Sequence, residues 1–152
     1  MLFKNLIKSF IHKAGFDLHR ISTDSNSAFQ LIKGLERFEV DLVFDIGANI
    51  GQFASELRTS GYKGRMVSFE PLSLSHQKLT ETATRDTGWT IYRRTAIGDT
   101  DGEVEINISG NSVSSSILPM LDSHFSAAKG SAFVGSETAP IYRLDSVATN
   151  YI

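Results

Sequence analysis

One stretch constrains this chain more than any other: Val43-Phe44-Asp45-Ile46-Gly47-Ala48-Asn49-Ile50-Gly51-Gln52-Phe53. It opens with apolar and β-branched residues, as a buried parallel strand does. It then passes through an Asp into two closely spaced glycines and resumes with helix-compatible residues through Arg58. Strand, Gly-rich turn and helix in that order build a small-molecule site at the carboxyl edge of a parallel sheet. Glycines at 47 and 51 permit a sharp turn and leave no side chain in the way of a ligand. An α/β fold is expected, with the turn as its candidate site; the plain alternative is a strand-to-helix turn that binds nothing.

The chemistry of the turn narrows the ligand. A dinucleotide fingerprint, G-x-G-x-x-G, offers bare N–H groups at a helix start to a pyrophosphate. Here position 49 is Asn, and the carboxylate of Asp45 stands at the mouth of the turn. A fixed negative charge there disfavours phosphate and suits a cation. S-adenosylmethionine carries an ammonium and a sulfonium and no phosphate, so it fits better than a nicotinamide dinucleotide. Residues Arg65-Met66-Val67-Ser68-Phe69-Glu70-Pro71 read as a second short strand ending in an acid. Glu70 follows Asp45 by about 25 residues, near the interval of roughly 20 expected for an acid that binds ribose hydroxyls.

Together these blocks resemble the FkbM-type S-adenosylmethionine-dependent methyltransferases. The resemblance rests on Val43–Phe53, Val67–Pro71, Thr95–Gly98 with Asp101-Gly102, the serines at 114–116, and Arg143-Leu144-Asp145. It runs from about residue 40 to the end, and its specific parts are Asp-Ile-Gly-Ala-Asn-Ile-Gly and Phe-Glu-Pro. It implies a Rossmann-like class I methyltransferase fold over 40–152, preceded by a helical extension over 1–39. It further implies S-adenosyl-L-methionine as cofactor and a hydroxyl of a small molecule or glycan as acceptor. Cofactor contacts are expected from Asp45, Gly47, Ala48, Asn49, Gly51, Phe53, Glu70, Pro71, Ala96 and Ile97. Small residues at 95–98 would let an adenine slide against the backbone. Asp99 is either an acceptor for the adenine amino group or part of a simple Asp-Thr-Asp turn.

Composition excludes several other classes. At 152 residues the chain can bury one core but not two. A net charge of −2 argues against general nucleic-acid binding. Without cysteine there is neither a disulfide framework nor a Cys-based zinc site. The four histidines, 12, 19, 76 and 124, show no metal-ligand spacing. No apolar run approaches the roughly 20 residues of a membrane span, and a cytoplasmic location is the default expectation.

Helical spacing is expected over Met1–Phe16, with Leu2, Phe3, Leu6, Ile7, Phe10 and Ile11 opposite Lys4, Lys8 and Lys13. Such a basic amphipathic helix can lie on an anionic membrane; docking on its own domain or a second subunit is the commoner use. A second helix is expected over Asp24–Phe38, capped by Asp24 or Ser25, with Phe29, Ile32, Leu35 and Phe38 inward. The helix after Gly51 should run to about Ser60 with Gly61 as its stop, and another is expected over Ser73–Arg85. Strands are expected at Trp89–Arg94, ending in 95–98, at Glu103–Ile108 and at Ala139–Leu144. Residues 109–116 should form a loop, Leu118–Ala128 a short helix, and Asp145 should cap a last helix near Ser146.

No catalytic base is assigned: Asp99, His124 and Asp145 are weak candidates. In the family resembled, a fourth parallel strand after the Arg-Leu-Asp segment carries acids near the transferred methyl. This chain ends at Ile152, so its parallel sheet is expected to be incomplete, with Val43–Ile46 an unpaired apolar edge. Such edges recruit other chains or aggregate, so the chain alone is expected to be poorly soluble, to pair through this strand, or to be a fragment of a longer protein. The competing functional readings are a non-catalytic cofactor-binding domain and, more distantly, a nicotinamide-dependent oxidoreductase.

Overall fold

The computed structural model describes residues 27–110, 115–118 and 132–152, with positions 10, 12 and 15. The chain runs α1 (Ser27–Arg37), β1 (Leu42–Ile46), α2 (Gln52–Thr59), β2 (Arg65–Phe69), α3 (Ser73–Ala83) and β3 (Trp89–Ile91). It continues through β4 (Ala96–Gly98), β5 (Gly102–Ser109), β6 (Phe133–Arg143) and α4 (Leu144–Ala148). Strands β1, β2 and β3 form a parallel sheet in that order. The second sheet has the order β4-β6-β5, with β4 parallel and β5 antiparallel to β6.

Each β-α-β step in the first sheet follows from the local sequence. The β2 run Met66-Val67-Ser68-Phe69 is wholly buried, as a central parallel strand should be. The period of two splits it between faces: Met66 joins Trp89, Leu57, Leu79 and Ile32 beneath α1, α2 and α3. Val67 and Phe69 turn to the other face and meet Val147, Ile97, Tyr142 and Tyr151. Helix α2 ends as expected: Gly61 takes the left-handed conformation (φ 107°) and its N–H reaches Arg58 O. Its last turn is tied to the start of β3 by Arg58, which bonds Asp86 through Nε (2.5 Å) and Nη2 (3.3 Å) and the carbonyls of Tyr62 and Gly64 through Nη1.

Several expected boundaries move. Phe38 is 75% exposed rather than inward, because α1 ends at Arg37 and the chain turns away before that position returns to the core face. The expected third strand is split. β3 stops at Ile91, Arg94 turns outward to Glu137 (2.7 Å), and Ala96–Gly98 pairs with β6 in the other sheet. β6 begins at Phe133, well before 139, because it zips antiparallel along the whole of β5. The last helix starts at Leu144, so Asp145 lies in its first turn rather than at its cap. The expected N-terminal helix lies largely, and the 118–128 helix almost entirely, outside the described residues.

Among the described residues β1 pairs only with β2, so it is an edge. One of its faces is nevertheless covered: Phe44 packs on Phe69 and on Tyr151 (ring centroids 6.0 and 6.1 Å). No described helix is long and apolar enough to cross a membrane.

Candidate functional site

The carboxyl ends of β1 and β2 are stitched into one structure by the turn between them. Gly47 N–H and Ala48 N–H both donate to the carbonyl of Phe69, each at 3.0 Å. Asn49 N–H donates to Glu70 Oε2 (2.8 Å), Ile50 N–H to Gln52 Oε1 (3.2 Å) and Gly51 N–H to Ala48 O (2.8 Å). Every amide from 47 to 51 is therefore committed within the chain. Asn49 sits at φ 51°, a left-handed conformation that Asn tolerates better than most residues. That explains how the turn forms without glycine at 49.

The two glycines have different physical reasons. Gly47 (φ 78°) faces open space: a Cβ there would meet nothing within 4 Å. Gly51 (φ 91°) is closed in, since a Cβ would lie 2.7 Å from Trp89 Cη2 and 3.0 Å from Leu79 Cδ1. The first leaves the mouth clear, and the second seats α2 on the core.

Asp45 and Glu70 share one face. Asp45 is in register with Ser68, and Glu70 follows Ser68 by one two-residue period. Both carboxylates are buried. Asp45 Oδ2 accepts from Ser68 Oγ (3.1 Å), and Glu70 Oε1 accepts from Leu72 N–H (2.9 Å). Burial pushes the pKa of each above the ordinary carboxylate value; the Ser68 hydroxyl opposes this for Asp45, and the Leu72 and Asn49 amides for Glu70. The charge of nearby His76 also lowers Glu70, while that of Asp45 raises it, so the two acids sense each other. Among the described residues neither forms an ion pair with Lys, Arg or His. Two buried acids thus stand beside an open glycine without an ion pair, His76 acting on Glu70 only from beyond ion-pair distance.

The remaining candidate residues spread out from this centre. Ala48 is buried in the core beneath the helices. Phe53, 41% exposed, borders a groove of about 240 Å³ with Ala28 and Leu31 of α1. Pro71 is half-buried, and its carbonyl accepts from Arg94 Nη1 (3.0 Å). The side chains of Ala96 and Ile97 are taken up by packing, with Leu72, Ile106, Ala139 and Ile141 for the first and with Phe69 and Val147 for the second. What meets Glu70 from that segment is backbone, Thr95 N–H donating to Glu70 O (3.3 Å). Asp99 and Asp145 are exposed, and His124 lies outside the described residues. Among the described residues no cluster of His, Asp and Glu could hold a metal.

A second concavity, about 660 Å³, opens at the other end of the sheet between the last turns of α2 and α3. Its acid, Asp86, is neutralised by Arg58 and held below the usual carboxylate range chiefly by that hydrogen-bonded contact. It therefore lacks the uncompensated charge found at the turn. Ser68 is visible in the sequence only as a lone hydroxyl in an apolar strand, and Trp89 only as a strand residue; that they join Asp45 required the fold.

No curated protein and no solved structure matches the chain. A family model described as a methyltransferase FkbM domain matches residues 45–152, from the carboxylate at the tip of β1 to the end of the chain. With the strand-turn-helix unit, the paired acids and this match in hand, the chain belongs to the FkbM methyltransferase family.

Proposed function

We propose that this chain binds S-adenosyl-L-methionine across the tips of β1 and β2 and acts as a methyltransferase toward a hydroxyl of a small molecule or sugar. One observation carries the reading. The turn presents negative charge and withholds its N–H groups, since the amides of 47–51 are internally bonded while neither Asp45 nor Glu70 is held in an ion pair among the described residues. A pyrophosphate needs the reverse arrangement, free N–H donors at a helix start. This makes a nicotinamide dinucleotide the poorer fit.

The residues fit the cofactor by charge and by access. Glu70 is the acid suited to ribose hydroxyls, since a carboxylate oxygen has room for more than one hydrogen bond. Asp45 sets the negative field for the cationic end, and Gly47 leaves the approach open. When bound, S-adenosylmethionine supplies an electrophilic methyl on sulfur. The protein's share is alignment, worth about 7–11 kcal/mol in well-oriented systems. Glu70 contributes to that by locking the turn through Asn49 N–H as well as facing the ligand.

Calorimetry on the full chain tests the reading. Heat of binding is expected with S-adenosylmethionine and with its demethylated product, weakened at least about tenfold by Asp45→Ala or Glu70→Ala. A folded sample that gives no heat with either compound rules it out. Tighter binding of a nicotinamide dinucleotide would favour the oxidoreductase instead.

A further inference from the structure

Beneath the turn, two polar groups sit where an apolar core would ordinarily have none. Trp89, the chain's only tryptophan, opens β3 in register with Met66 and is buried. Its Nε1–H donates to Ser68 Oγ at 2.9 Å, and Ser68, fully buried in β2, donates its own hydroxyl to Asp45 Oδ2 at 3.1 Å. The direction is fixed by chemistry. An indole N–H can only donate, so the serine oxygen accepts from it and keeps its single hydrogen for the carboxylate. The six-membered edge of the same ring lies under Gly51, with Cη2 and Cζ2 at 2.7 and 3.1 Å from where a Cβ would stand. One side chain thus holds the entry to the turn through hydrogen bonds and its exit through contact.

We propose that Trp89 and Ser68 are positioning residues for Asp45, a two-link relay that fixes the orientation of the carboxylate meant for the cofactor. The inference rests on the S-adenosylmethionine reading above. A core that needed only to be filled would place Val at 68 and Phe at 89, which bury no polar atom. The indole and the hydroxyl instead satisfy each other only because Asp45 terminates the chain. With Oδ2 held by Ser68, no described hydrogen bond occupies Oδ1. The relay therefore presents one oxygen in a set direction while the other is restrained.

Binding of S-adenosylmethionine to the full chain, followed by calorimetry from pH 5 to 9, tests the relay. Ser68→Ala is expected to weaken binding about tenfold and to move its acidic midpoint up by about one pH unit, because the carboxylate loses the hydrogen bond that favours its charged form. Trp89→Phe keeps an aromatic ring at 89 and the serine hydroxyl, and should shift the midpoint less. Ser68→Thr, which retains the hydroxyl, should restore it. A Ser68→Ala protein that is less stable yet binds with the wild-type affinity and midpoint overturns the inference, leaving Ser68 a core residue. If the wild type itself gives no heat, it is the proposed function that falls. The relay is then decided by ¹³C NMR titration of the Asp45 carboxyl without ligand, where a raised midpoint in Ser68→Ala supports it and an unchanged one overturns it. Should Ser68→Ala not fold, Trp89→Phe gives the same two readouts.

Discussion

Replacing each glycine of the turn by alanine separates packing from access. At Gly51 the new methyl would stand 2.7 Å from Trp89 Cη2 and 3.0 Å from Leu79 Cδ1, at a φ of 91°. The left-handed backbone costs roughly 1–2 kcal/mol for a residue with a Cβ. Forcing a methyl into a packed core costs typically about 1–3 kcal/mol more. Leu79 is wholly buried, so neither neighbour can swing into solvent. The sum, roughly 2–5 kcal/mol, is a large part of the 5–15 kcal/mol that keeps a domain of this size folded. At Gly47 the φ of 78° brings only the backbone term, roughly 1–2 kcal/mol, because its Cβ would point into open space. Chemical denaturation of both variants reads the difference directly. Gly51→Ala should lose the larger increment, while Gly47→Ala should lose only the backbone term of roughly 1–2 kcal/mol and, in addition, affinity for S-adenosylmethionine. Equal destabilisation by the two, or a Gly51→Ala within about 0.5 kcal/mol of wild type, would refute the assignment of one glycine to the core and the other to the mouth.

Asp45→Asn should raise the melting temperature of the ligand-free protein near pH 7 while abolishing cofactor binding, since it removes a buried charge that has no described cationic partner. The pH profile follows from the same groups. Burial raises the folded-state pKa of Asp45 and Glu70 above their ordinary 3.8 and 4.5, so the stability they contribute is full below those values and is lost as pH rises through the folded pKa. A ligand-free melting curve should accordingly improve on mild acidification, flatter in Asp45→Asn, while cofactor binding weakens over the same window. Asp86 has the opposite sign: its lowered pKa gives stability above 3.8 that is lost as pH falls further, so the improvement should reverse in strong acid. Arg58→Ala should cost about 2–3 kcal/mol in denaturant, because it strands Asp86 and two carbonyls in a region where the paired side chains are only 20% and 26% exposed. Arg94→Ala should cost about 1–2 kcal/mol and speed hydrogen exchange at Ser73, whose N–H donates to Glu137, the carboxylate that Arg94 also binds.

Much of the candidate site was legible in one dimension. The apolar run into Asp45, the spaced glycines, and a second apolar run into Glu70 place two acids at the ends of two adjacent parallel strands. Strand type and turn chemistry are local properties, and the family match over 45–152 agrees with what those blocks imply. Their shared face also follows from the period of two once the register is known, with Asp45 opposite Ser68.

The register itself, and everything that depends on which residues lie across from one another, was decided by the tertiary structure. The sequence could not say that Gly51 faces an indole and Gly47 faces water, since both are glycines in one short turn. Nor could it show that residues 95–98 leave the first sheet. Three residues too short to declare a partner were captured by β6, whose long antiparallel pairing with β5 made that sheet the better home. The side chains of Ala96 and Ile97 went with them into the core. Local propensity determines which segments extend, coil or turn; the burial of apolar area against distant segments determines which face each one shows.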